Sequence, residues 1–118
     1  MNSPADGSVI QLAPALQRLG NDETLLREMA VFYLEDVPDL LAELQQALRS
    51  KDAETVNRSA HSIKSLSANF EARAAVDVAF QIEQQGRNED LDTAEANYPK
   101  LVEETDRVIQ ALRQSILK

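Results

Sequence analysis

A chain of 118 residues has the size of one domain, and its 43% hydrophobic and 27% charged residues describe a globular chain, not a disordered one. It contains no cysteine, which excludes disulfides and thiolate metal centres, and its net charge of −8 disfavours nucleic acid, whose phosphates need a basic stripe. No stretch approaches the roughly 18 apolar residues of a membrane span, and residues 1–9 carry neither the basic start nor the apolar run of a signal peptide. A soluble cytoplasmic protein without membrane insertion is therefore expected.

Aromatic residues make up only 4%, so the core must be mainly aliphatic. Three Gly and four Pro leave few tight turns, which argues against a β-rich fold, while Ala, Leu, Glu, Gln and Arg favour helices. Ser8 is placed to cap a short helix over residues 9–19, ended by Gly20. Asn21 and Asp22 offer caps for a long second helix with Leu25, Met29, Phe32, Leu40, Leu44 and Leu48 at helical spacing and Tyr33, Val37 and Leu41 beside them. Pro38 is expected to kink it. After a break at residues 50–52, a third helix carries Ala53, Val56, Ala60, Ile63, Ser67 and Phe70 as a narrow stripe. A turn at residues 71–73 leads to a fourth helix with Ala75, Ala79 and Ile82, flanked by Val76 and Val78. Residues 86–90 read as a polar break. A last helix holds Ala94, Tyr98, Leu101, Thr105, Val108, Leu112 and Ile116, with Pro99 in its first turns. Short connections make successive helices antiparallel. The expected fold is all-α: an antiparallel up-down four-helix bundle with a short extra N-terminal helix. It forms one domain over residues 1–118, of which 1–8 are expected to be flexible.

His61 is the chain's only histidine. At 100° per residue it falls roughly 130° from the centre of the third helix's apolar stripe, so it should face solvent. Arg58 and Ser65 share its face, with Lys64 nearer the boundary. With the turn centred on Ala72, Glu83 lies as far after the turn as His61 lies before it, so the two should sit at one height. Arg87 follows one turn later on the face of Glu83. A carboxylate accepting from Nδ1–H would fix the imidazole tautomer and leave Nε2 as nucleophile. Lys64 and Arg87 could neutralise phosphate charge. An ordinary surface histidine is the competing reading at this point. The chain shows no phosphate-binding Gly-rich loop, no kinase nucleotide motif and no Mg²⁺ triad, so any metal for phosphoryl transfer must come from a partner.

The segment Ala60-His61-Ser62-Ile63-Lys64-Ser65-Leu66-Ser67-Ala68-Asn69-Phe70 resembles the signature of histidine-containing phosphotransfer domains, roughly His-x-Leu-Lys-Gly-Ser-Ser-x-x-Leu-Gly. The stretch from Gly20 through Leu34 and Pro38 to Leu48 is similar to the family's second helix, and the resemblance runs from about Leu12 to Leu112. It implies a four-helix bundle with His61 as exposed phosphoacceptor and Lys64 and Glu83 as its working neighbours. Arg58, Ser65, Ala68 and Arg87 become candidate partner- or phosphate-contacting residues. The implied partner is the receiver domain of a response regulator or hybrid kinase. Its aspartate would exchange phosphate with His61, and it would bring the Mg²⁺; no cofactor or metal is expected on this chain. A monomeric phosphocarrier without kinase activity of its own is expected. Ser65 stands where the family usually has Gly, Leu66 replaces a small residue, and Glu71 occupies a helix end where Gly is common. Ile10 and Leu12 are open between partner contact and core packing.

The alternative is a non-catalytic acidic helical adaptor, which should tolerate loss of His61. A bundle metalloenzyme lacks a Glu-x-x-His pair. A sensor-kinase dimerisation helix usually has an acidic residue after the histidine, where this chain has Ser62.

Overall fold

The computed structural model describes residues 8–118, which form five helices and no strand. In chain order these are α1 (Leu12–Arg18), α2 (Glu23–Arg49), α3 (Ala53–Ala68), α4 (Arg73–Arg87) and α5 (Leu91–Arg113). The expected flexibility of the N-terminus falls almost wholly on residues 1–7, outside the described residues.

Cross-helix bonds fix the directions. Tyr33 pairs with Ser67 at 2.8 Å and Glu43 accepts from Ser59 at 2.8 Å, so residues further along α2 meet residues earlier in α3. Asn57 and His61 both reach Glu83 of α4, Asn97 of α5 donates to Gln85 at 3.2 Å, and Tyr98 of α5 donates to the Leu41 carbonyl at 2.9 Å. The four long helices thus run alternately up and down, as expected. Each reversal takes three or four residues and includes at least one in the left-handed region: Gly20 and Asn21, then Lys51, Glu71 and Glu89. Asp22 and Asp52 cap the following helices, their carboxylates accepting from the backbone N–H of Leu25 at 3.0 Å and Thr55 at 3.1 Å.

The core has two halves. One gathers Leu44, Leu48, Val56, Ile63, Ile82 and Leu101; the other gathers Leu26, Tyr33, Val37, Phe70, Val108 and Leu112. In the second, the rings of Tyr33 and Phe70 meet edge to face at 5.8 Å, and α1 covers the end through Leu12, Ala15 and Leu16. Ile10 packs on the same half, so both residues left open by the sequence serve the core.

Four expectations need correction. α1 starts at Leu12, with Gln11 and not Ser8 at its N-cap. A start at Leu12 puts Pro14 in the first turn, where a missing N–H costs nothing. The buried stripe of α2 is Leu26, Ala30, Tyr33, Val37, Leu44, Ala47 and Leu48, whereas Leu25 and Phe32 face solvent. Gly86 does not break the pattern but lies buried inside α4. Pro99 falls in the third turn of α5, not the first ones, because Leu91 and Ala94 pack on the core and carry the helix start back to residue 91. Pro38 likewise lies within a helix that continues to Arg49.

Candidate functional site

Two helices build the site. On α3, Asn57, His61 and Lys64 follow at steps of four and three and share one face; on α4, Phe80 and Glu83 do the same. The stripe of Val56, Ala60, Ile63 and Ser67 is buried, which turns His61 outward, its side chain 57% exposed. Glu83 sits at the same height on α4, its side chain only 6% exposed.

The imidazole Nδ1 and Glu83 Oε2 are 2.8 Å apart. A carboxylate can only accept, so Nδ1 carries the hydrogen and Nε2 keeps its lone pair. The other oxygen, Oε1, faces the Lys64 ammonium at 2.7 Å. That ammonium also lies 5.1 Å above the Phe80 ring, which is itself 47% exposed. Burial pushes the Glu83 carboxyl up, but the bonds from Lys64 and His61 and their positive charge outweigh it and hold the group below the usual carboxylate range. The arrangement can therefore keep one ring nitrogen protonated, present the other as a nucleophile and stabilise positive charge on the ring.

On its other side His61 borders a shallow hollow of about 320 Å³ lined by Phe32, Asp36, Leu40, Ser62, Ser65 and Leu66. Phe32, half exposed, is the largest apolar group there. Among the described residues no group of acidic or histidine side chains is arranged to hold a metal ion.

The Hpt domain family profile matches residues 28–115. The chain belongs to the Hpt domain family. It is a histidine phosphotransfer domain of two-component signalling. Its fold is similar to the crystal structure of histidine-containing phosphotransfer protein B (HptB) from Pseudomonas aeruginosa PAO1, with TM-score 0.84 and 22% identity over 95% of this chain and 97% of that one. No curated protein matches the chain by sequence. No helix among the described residues is long and apolar enough to cross a membrane.

The remaining candidate residues of this Hpt domain divide into those near His61 and those that are not. Ser65 lines the hollow beside the histidine. Leu66, in the same wall, packs against the second half of the core and so extends the core edge. Ala68 is exposed at the far end of α3, and its carbonyl accepts from Arg18 at 3.2 Å. Arg58 turns back to Thr55 Oγ1 at 3.3 Å, beside Asp52. Arg87 lines a separate hollow with Ala53, Glu54, Asn57 and Glu89, so the structure does not bring it to His61. The reason is direction: α4 runs antiparallel, and one turn beyond Glu83 lies opposite residue 57, one turn away from the histidine. Glu71 takes the left-handed conformation (φ 55°) that favours glycine, and its carboxylate pairs with Arg18. Sequence reasoning passed over Asn57 and Phe80. The signal for Asn57 was present, since the count that sets Glu83 opposite His61 sets residue 87 opposite residue 57.

Proposed function

We propose that His61 is the phosphoacceptor of this Hpt domain and exchanges a phosphoryl group with the aspartate of a receiver domain. The observation that carries this is the 2.8 Å bond from Nδ1 of an exposed, unique histidine to a buried carboxylate. The Nε2 lone pair attacks the phosphorus of the receiver's aspartyl phosphate. The N–P bond forms as the acyl P–O bond breaks, and the aspartate leaves as a carboxylate. Glu83 holds the Nδ1 hydrogen throughout and stabilises the cationic ring. Lys64, balanced between Glu83 and Phe80, turns to the incoming phosphoryl oxygens. The reverse step returns the group to a receiver.

The receiver supplies the Mg²⁺ and docks over His61 with Phe32, Leu40 and Ser65 beneath it. The chain acts as a monomeric carrier in the cytoplasm, not as a kinase. Ser65, where the family usually has Gly, narrows the approach and helps choose the receiver; Arg58, Ala68 and Arg87 then contribute at most at the edge of that interface.

Incubation with a phosphorylated receiver and Mg²⁺ should give acid-labile, alkali-stable phosphate on the wild type and none on His61→Ala. Label that survives His61→Ala would overturn the assignment. Absence of label from a panel of receivers would favour the adaptor reading, unless Ser65→Gly restored it.

A further inference from the structure

Asn57 lies one turn before His61 on α3 and is half-buried. Its Nδ2 donates to the backbone carbonyl of Glu83 at 2.8 Å. That carbonyl already has a donor four residues on within its own helix, so the side-chain bond uses its second lone pair. The bond adds nothing α4 needs as a helix. It does fix the height of Glu83 against α3.

Gly86, one turn beyond Glu83, is buried against the same place. A Cβ there would lie 2.8 Å from the Asn57 backbone nitrogen, 3.0 Å from Val56 Cγ1 and 3.1 Å from Asn57 Cα. Two of those atoms are backbone and cannot yield. One turn below His61 the helices therefore approach too closely for a Cβ, and only glycine permits it. Three groups of α3 converge on one residue of α4: Asn57 on the Glu83 carbonyl, His61 on Oε2 and Lys64 on Oε1. Glu83 has three side-chain torsions, so its carboxylate meets Nδ1 reproducibly only when its backbone is held.

We propose that Asn57, seated against Gly86, is a positioning residue that sets Glu83 at the height of His61 and so selects the imidazole tautomer for phosphotransfer. This rests on the reading of Glu83 as the carboxylate that orients His61. Asn57 touches no reacting atom and works only through Glu83.

The test is ¹⁵N NMR of the His61 imidazole at a pH where the ring is neutral, combined with transfer rates from a phosphorylated receiver. The wild type should show the Nδ1–H tautomer. Asn57→Ala should admit the Nε2–H tautomer and slow transfer about tenfold, the scale of a lost orienting contact. In a Glu83→Ala background, adding Asn57→Ala should change neither reading. Gly86→Ala should reproduce the spectral change with Asn57 intact; if it fails to fold, Asn57→Ala carries the test alone. An unchanged tautomer and rate in Asn57→Ala, or an equal slowing with and without Glu83, overturns the proposal. His61→Ala run in parallel separates the two readings. Label on that variant sinks the phosphoacceptor assignment itself, whereas an unlabelled His61→Ala beside an unaffected Asn57→Ala sinks only the positioning role.

Discussion

Glu83 is the residue on which the site turns, since it is buried, ionised and shared by the Lys64 ammonium and the His61 imidazole. Its folded carboxyl titrates below the ordinary glutamate range. The stability it contributes is thus complete above the unfolded value, near about 4.3, and is lost as pH falls through the lower folded value. Both partners are partly exposed, so the contribution is discounted to about 1 kcal/mol. Urea denaturation of wild type and Glu83→Gln should differ by that amount at neutral pH and converge in acid; a gap that persists undiminished in acid would refute this account. Transfer should suffer more than stability. Glu83→Ala is expected to slow phosphotransfer roughly 10- to 100-fold, the scale on which loss of a carboxylate behind a metal-bound histidine acts. His61 and Lys64 could be read from sequence because their spacing on a helix follows from 100° per residue. Glu83 could be read because hairpin symmetry fixes height. Arg87 could not be placed by face alone, because sharing the face of Glu83 says nothing about its distance from His61 along the helix.

The fold class followed from periodicity, but α2 shows where periodicity misleads. Leu25 is as apolar as Leu26 and Phe32 more apolar than Tyr33, yet the core takes Leu26 and Tyr33. Tyr33 can go inside because Ser67, itself buried, meets its hydroxyl at 2.8 Å, a partner no single-helix pattern reveals. Ala30 is likewise fully buried in that half of the core. Burial pushes the Tyr33 phenol up to about 12, partly offset by the Ser67 bond. A raised phenol contributes fully below its unfolded value near about 10 and loses that contribution as pH rises through the folded value. The protein should therefore lose about 2–3 kcal/mol of stability between those limits. Tyr33→Phe should remove this alkaline slope and cost about 1 kcal/mol at neutral pH, with transfer unaffected. Denaturant curves at several alkaline pH values decide the matter; an equal slope in both proteins would sink it. Phe32, turned outward by the same register, gives the opposite expectation. Phe32→Ser should leave the melting temperature nearly unchanged but weaken coupling to the receiver, visible as a higher receiver concentration for half-maximal transfer.

At the scale of the whole molecule, the charge of −8 is not offset by a positive surplus around His61. The sequence suggested a basic face formed by Arg58, Lys64 and Arg87. In the fold Lys64 is paired with Glu83, Arg58 turns toward Asp52 and Thr55, and Asp36 lines the hollow. The proposed docking face therefore has little positive surplus to attract an acidic receiver. For a receiver of negative net charge, raising ionic strength from about 10 mM to about 150 mM shortens the screening length from about 30 Å to about 8 Å and should speed association. Stopped-flow transfer at subsaturating receiver would show a rate that rises with salt; a rate that falls would mean that local attraction dominates.

The left-handed residue at each helix reversal has a bearing on how such a chain can change over evolutionary time. Surface loops are usually where insertions and deletions accumulate. Here Asn21, Lys51, Glu71 and Glu89 each sit where the backbone turns back within three or four residues, with a capping aspartate directly after the first two. An added residue at 71 would shift the whole of α4 along α3 and carry Glu83 away from His61. These connections should thus tolerate exchange of side chains, glycine and asparagine above all, far better than any change in length, and variation in size should collect at the chain ends instead.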